Sequence, residues 1–196
     1  VIFLFIDSLS RDNFNRKLKK LRAWLEEYYQ NTETDAQIFQ FFKYHSLASW
    51  TIINMIPAHF GVDWHYLDGY PQSMVKFYKD RGFITGQGHT YCGRELYDLE
   101  DGPNKMYKYE AFDHESNLLF CDPNFSVPGY PFAVLNGPYG MKRRCLYGRD
   151  SNSYVFEYSK KFWKAYKDES KFLRAAFLDA HEGTGEVVKY MDDNLV

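Results

Sequence analysis

The chain has 196 residues, enough for one α/β domain with a sizeable core, and its 45% hydrophobic and 26% charged content is ordinary for a globular protein. A formal net charge of −2 argues against a nucleic acid or an anionic membrane surface as partner. The seventeen Tyr and seventeen Phe read as a packing bias rather than a ligand box.

Val1–Ile6 is a run of six apolar residues closed by Asp7, the pattern of a central parallel strand buried on both faces. The run is too short for a membrane span or a signal core. Ser8, Ser10 and Asp12 then offer N-cap groups to a helix over residues 11–30, with Phe14, Leu18, Leu21, Leu25 and Tyr28 on one face. The aromatic run Ile38–His45 reads as a second strand. Thr51–Phe60 reads as a short helix closed by Gly61, and Pro71 opens another that stops at Gly82. Gly82–Gly86 is a third strand.

Regularity then fails from Gln87 to Asn152, as in an insertion or lid. It returns as a helix over 154–166, a buried strand over 171–178 ending at Asp179, and a helix from Thr184 with Val187, Val188 and Met191 on one face. The alternation predicts a three-layer α/β sandwich with a mostly parallel central sheet. One domain spans 1–196, interrupted by the irregular insertion 87–152. Val1 opens inside a strand and Tyr190–Val196 stops in mid-helix, so the domain is expected to be partial and truncated at its C-terminus.

Chemistry is expected where parallel strands end, because those ends share one edge of the sheet. Asp7 stands at one strand end, and Asp179, His181 and Glu182 at another. Ser49-Trp50-Thr51 places hydroxyls at a helix N-terminus, which favours anions through free N–H groups and the helix dipole. A metal ion activates a hydroxyl nucleophile by lowering its pKa, and Asp7 with Thr51 on one divalent ion would be such a pair. The plainer alternatives stay open: Asp7 and Thr51 as helix caps, and His181 as a strand-end histidine. The other five histidines show no ligand spacing. Cys92, Cys121 and Cys145 have no CxxC spacing; they read as buried thiols, or as a chain in which Cys121 and Cys145 bridge a Pro- and Gly-rich loop.

Phe5-Ile-Asp7-Ser-Leu-Ser10-Arg11-x-x-Phe14 resembles the opening of the DUF229 group of sulfatase-like proteins, in the alkaline-phosphatase superfamily. Thr51-x-x-Asn54 followed by Gly61 is similar to that superfamily's nucleophile segment. Gly82-Phe-Ile-Thr85 resembles its next strand, and His181-Glu182-x-Thr184 with Asp192 downstream resembles its middle motif. Three departures stand out: Ile53 replaces the usual Pro, Phe60 replaces the Thr before Gly61, and no Asp-His-Gly occurs. The absence of Cys-x-Pro-x-Arg disfavours a formylglycine mechanism.

The resemblance implies an alkaline-phosphatase-like fold and metal-dependent hydrolysis of phosphate or sulfate esters through a Thr-linked covalent intermediate. Asp7 would be a metal ligand, and Thr51 both nucleophile and ligand. Asn54 would shape the helix start or donate to the ester oxyanion. His181, with Asp179 or Glu182, would belong to a second metal site. The implied cofactor is a divalent metal, zinc first, with manganese, magnesium or calcium as alternatives. The implied partner is a small-molecule, lipid or glycan ester, with no nucleic acid and a membrane only through an anchor outside these residues. The implied location is the secretory pathway, extracellular or lumenal. A degenerate binding module and a phospho-head-group transferase are the competing readings, and Asp-His-Gly is expected beyond Val196.

Overall fold

A computed structural model describes residues 1–31, 37–43, 45–49, 51–62, 72–90, 111–116, 145–181 and 184–196. The chain is α/β, built on a four-stranded sheet of β1 (Ile2–Ile6), β2 (Ile84–His89), β3 (His114–Ser116) and, last in sequence, β6 (Lys171–Phe177). Their order is β1-β6-β2-β3, and each described pairing is parallel. A separate antiparallel pair, β4 (Cys145–Leu146) and β5 (Arg149–Asp150), turns through Tyr147 and Gly148, both at positive φ. No helix among the described residues is long and apolar enough to cross a membrane.

β6 is the strand with every residue buried, and it lies between β1 and β2. The expectation of a central first strand is therefore corrected. β1 is an outer strand among the described ones, with Ile2 58% and Leu4 43% exposed. An apolar run reports that a strand is hydrophobic, not how many neighbours it has.

The 11–30 helix is two helices, α1 (Arg11–Lys17) and α2 (Lys19–Gln30), broken at the fully buried Leu18. Ser10 caps α1, its Oγ accepting from Asn13 N at 3.2 Å. α2 has no local side-chain cap; Asp192 supplies one, its carboxylate accepting from Lys20 N at 2.8 Å and Leu21 N at 2.9 Å. Asp192 opens α6 (Asp192–Leu195), which continues a 3₁₀ turn over Val187–Met191. The expected buried face Val187, Val188 and Met191 is present, on a tighter helix than foreseen.

The expected strand over 38–45 is not formed in its described residues. Phe39, Phe41 and Phe42 are each more than 70% exposed, and the Arg11 guanidinium lies 4.2 Å over the Phe42 ring while bonding Gln40. With no paired neighbour strand, aromatic density there makes an exposed ribbon.

α3 (Thr51–Phe60) carries Pro57 inside it and ends at Gly61, whose φ of +69° takes the C-terminal left-handed turn. α4 (Met74–Lys79) starts at the Ser73 cap, with Ser73 Oγ accepting from Lys76 N at 3.1 Å, rather than at Pro71, which lies outside the described residues. The 154–166 helix is α5 (Ser151–Ala165).

Two apolar clusters hold these elements. Ala175 and Phe177 of β6 pack with Leu18, Val155, Val188 and Met191; Phe172 packs with Val75 and Phe112. Close approach sets the α5 contact: a Cβ on Gly86 would meet Phe162 at 2.8 Å. Most of the 87–152 segment lies outside the described residues. Its described residues include the end of β2, all of β3, β4 and β5 and the first two residues of α5, so β2 runs further and α5 begins earlier than periodicity suggests. Cys145 is an exposed free thiol, neither the buried thiol of one reading nor bridged as in the other; Cys92 and Cys121 lie outside the described residues.

Candidate active site

The carboxyl ends of β1 and β6 bring distant residues together. Asp7 continues the ladder, its N–H donating to Phe177 O at 2.9 Å, and the residue is 6% exposed. Ser8, at φ +58°, turns the chain sharply away and leaves the Asp7 carboxylate at the sheet edge. Since Ser10 caps α1, the carboxylate of Asp7 serves as no cap there.

Thr51 approaches from α3. Its hydroxyl Oγ1 lies 3.2 Å from both Asp7 carboxylate oxygens, to which it donates. Thr51 is the first residue of α3, where amides lack helical acceptors and the dipole is positive. His181 Nε2 stands 3.6 Å from Asp7 Oδ2, on a turn closed by His181 N donating to Leu178 O at 2.9 Å. Three residues separated by up to 174 positions thus share one corner of the sheet, as the strand-end argument requires.

Asn54 ties down the chain that leads into α3. Its Oδ1 accepts from Leu47 N at 2.7 Å and Ala48 N at 3.2 Å, while Nδ2 donates to Ala48 O at 2.8 Å. The amide folds the 47–48 loop onto α3 and so fixes how the chain enters Thr51.

Asp179 is fully buried, and its Oδ1 accepts from Asn152 Nδ2 at 2.7 Å; Asn194 Nδ2 in turn reaches Asn152 Oδ1 at 3.3 Å. Asn152 belongs to the first turn of α5, two residues before the helix start foreseen, and was not singled out in the sequence. Thr90 was also missed: its Oγ1 accepts from Leu178 N at 3.0 Å and ties the end of β2 to the end of β6. A buried strand-end aspartate demands a donor nearby, and that demand is the signal that points to an Asn at a neighbouring element's start; no such signal marks Thr90. Glu182 lies outside the described residues.

No family model, curated protein or solved structure matches the chain.

The donors that meet at this corner are a carboxylate, a hydroxyl and an imidazole, a set suited to zinc or manganese. Among the described residues no three His, Cys, Asp or Glu side chains form a metal-holding group. Asp7 and His181 are two side chains at this corner that could hold a divalent ion, with the Thr51 hydroxyl beside them.

Beneath α3 lies a buried polar tier that sequence reading passed over. Arg174 Nη1 donates to Gln87 Oε1 at 3.0 Å, and both are buried. His59 of α3 is 3% exposed, with Nδ1 donating to Met55 O at 3.0 Å and its ring edge-on to Phe3. Burial, and then the Arg174 charge, push the His59 pKa down to about 3, so the ring is neutral.

Proposed function

We propose that this chain carries the nucleophile corner of a three-layer, alkaline-phosphatase-like domain and hydrolyses phosphate or sulfate esters through Thr51. The observation that carries the reading is the Thr51 hydroxyl donating to both oxygens of the buried Asp7 carboxylate, at the N-terminus of α3 and at the carboxyl edge of a parallel sheet. Apolar clusters around both Phe172 and Phe177 of the central strand support the three-layer arrangement.

In this reading Asp7 accepts the Thr51 hydrogen bond and so aims the hydroxyl lone pairs outward. Thr51 Oγ1 forms a bond to phosphorus or sulfur as the bond to the alcohol oxygen breaks. The Thr51 proton leaves by way of Asp7, and the departing alcohol oxygen takes up a proton from solvent. Free amides of the first α3 turn face the negative ester oxygens. Water then adds to the esterified Thr51, releases phosphate or sulfate, and returns the hydroxyl. A divalent ion held by Asp7, His181 and Thr51 would lower the pKa of that hydroxyl and neutralise the ester oxygens. Asn54 holds the loop that delivers Thr51.

The test is turnover of phosphate mono- and diesters and sulfate esters by the full protein with added zinc, manganese, magnesium or calcium. Thr51→Ala should lower kcat by roughly 10³-fold or more, since no other oxygen replaces the nucleophile. Activity retained in Thr51→Ala removes Thr51 as nucleophile. No turnover with any ester would leave a binding module as the better reading.

A further inference from the structure

Thr51 meets Asp7 at the carboxyl end of β1, and eight residues later the His59 ring meets Phe3 with centroids 5.4 Å apart. α3 therefore runs back along β1, away from the reacting oxygen. Along this pair opens a cleft of about 740 Å³, within the range of small-molecule sites. Phe3, Phe41, Leu47, Pro57 and Ala58 give it apolar walls. Its ionisable lining is Lys43 and His45, with no carboxylate among the described residues that line it, so it suits a neutral or anionic occupant and disfavours a cation. Asn54 stands at its end nearest Thr51, one helical turn along α3, and Ala58 lies about 10 Å from Thr51 along the axis.

We propose that this cleft binds the apolar body of the ester whose phosphate or sulfate meets Thr51, so that the substrate is an anionic amphiphile with an alkyl-chain or aryl alcohol. The inference rests on the hydrolase reading for the identity of the charged end. The apolar body stands on the cleft alone. Three features favour a small amphiphile over a protein segment: the cleft runs from the nucleophile's own helix, its ionisable lining carries no carboxylate, and the volume is that of a ligand pocket. Occupation of remote apolar surface is also a means of positioning an ester for attack.

The experiment compares octyl phosphate with methyl phosphate in the full protein with divalent metal, and titrates 1-octanol calorimetrically as a probe that needs no turnover. The expected result is a kcat/KM roughly tenfold or more higher for the octyl ester. Ala58→Trp, which fills the cleft, should collapse that ratio and abolish octanol binding. Phe41→Ser acts on a side chain 78% exposed and removes one wall without touching the core; it should lower the same ratio and weaken octanol binding. Equal turnover of the two esters, unmoved by either variant, overturns the cleft assignment and leaves the hydrolase reading intact. Turnover of neither ester, with octanol bound in wild type and lost in Ala58→Trp, upholds the apolar site and removes a phosphate monoester as its charged end. No octanol binding by wild type overturns the proposal, whatever the esters do.

Discussion

Ser8 holds a left-handed backbone that most side chains avoid, one residue after the carboxylate of the candidate site. Ser8→Gly should leave stability unchanged or slightly raised, whereas the β-branched Ser8→Val should cost about 1–2 kcal/mol and lower Tm. Denaturant titration of both variants checks the sign. Asn54 makes three bonds to the 47–48 loop, so Asn54→Ala should cost about 1–3 kcal/mol, because two loop N–H groups lose their acceptor. If it also lowers kcat, the loss comes through the placement of Thr51. Asp7 and Thr51 were legible in the sequence because a carboxylate after an apolar strand and a hydroxyl opening a helix are local signals. Asn152, Thr90 and the Arg174–Gln87 pair were not. Each is defined by a partner 27 to 88 positions away, and no short window contains both halves of such a bond.

Among the elements, α2 depends on a residue outside itself. Asp192 accepts the Lys20 and Leu21 amides that no local side chain satisfies. Asp192→Ala should therefore cost about 1–2 kcal/mol and loosen α2, read as faster hydrogen exchange at Lys20 and Leu21, while α1 with its own Ser10 cap is little affected. The hydrophobic stripe from Phe14 to Tyr28 correctly announced helix, but it runs unbroken through Leu18. The break lies where a distant carboxylate, not a local residue, begins the second helix. Gly86 is the complementary case on the sheet: Gly86→Ala would press a Cβ into Phe162 and should destabilise by about 1–3 kcal/mol. The failed strand at 38–45 teaches a related lesson. Its composition suits a sheet, yet its described residues find no strand to pair with, and pairing rather than propensity decides β structure.

At the scale of the whole molecule, His59 and Asp113 are among the described groups that make the fold acid-sensitive. His59 titrates near 3 when folded and near 6.5 when unfolded, so the unfolded chain binds more protons between those values. Its contribution is complete above pH 6.5 and is lost as pH falls toward 3, at roughly 1.4 kcal/mol per pH unit of the shift. Burial raises the Asp113 carboxyl, but the Thr85 amide, the Lys79 ammonium and the Thr85 hydroxyl together hold it below its ordinary value; that stabilisation too is present above the unfolded value and lost in acid. Denaturant titrations at pH 7, 5.5 and 4 should show stability falling at each step. The α/β class and the parallel sheet could be read from strand–helix alternation; the order of the strands could not, because it depends on contacts between chain segments far apart. β6, last in sequence among the described strands, sits between β1 and β2, and its pairing with β1 joins residues 171 positions apart. During synthesis β1 emerges long before β6, the strand it pairs with among the described residues, and its apolar side chains wait for residues near 177 to emerge. Nascent chains arrested before β6 should accordingly be more protease-sensitive than those in which β6 and Asp192 have emerged.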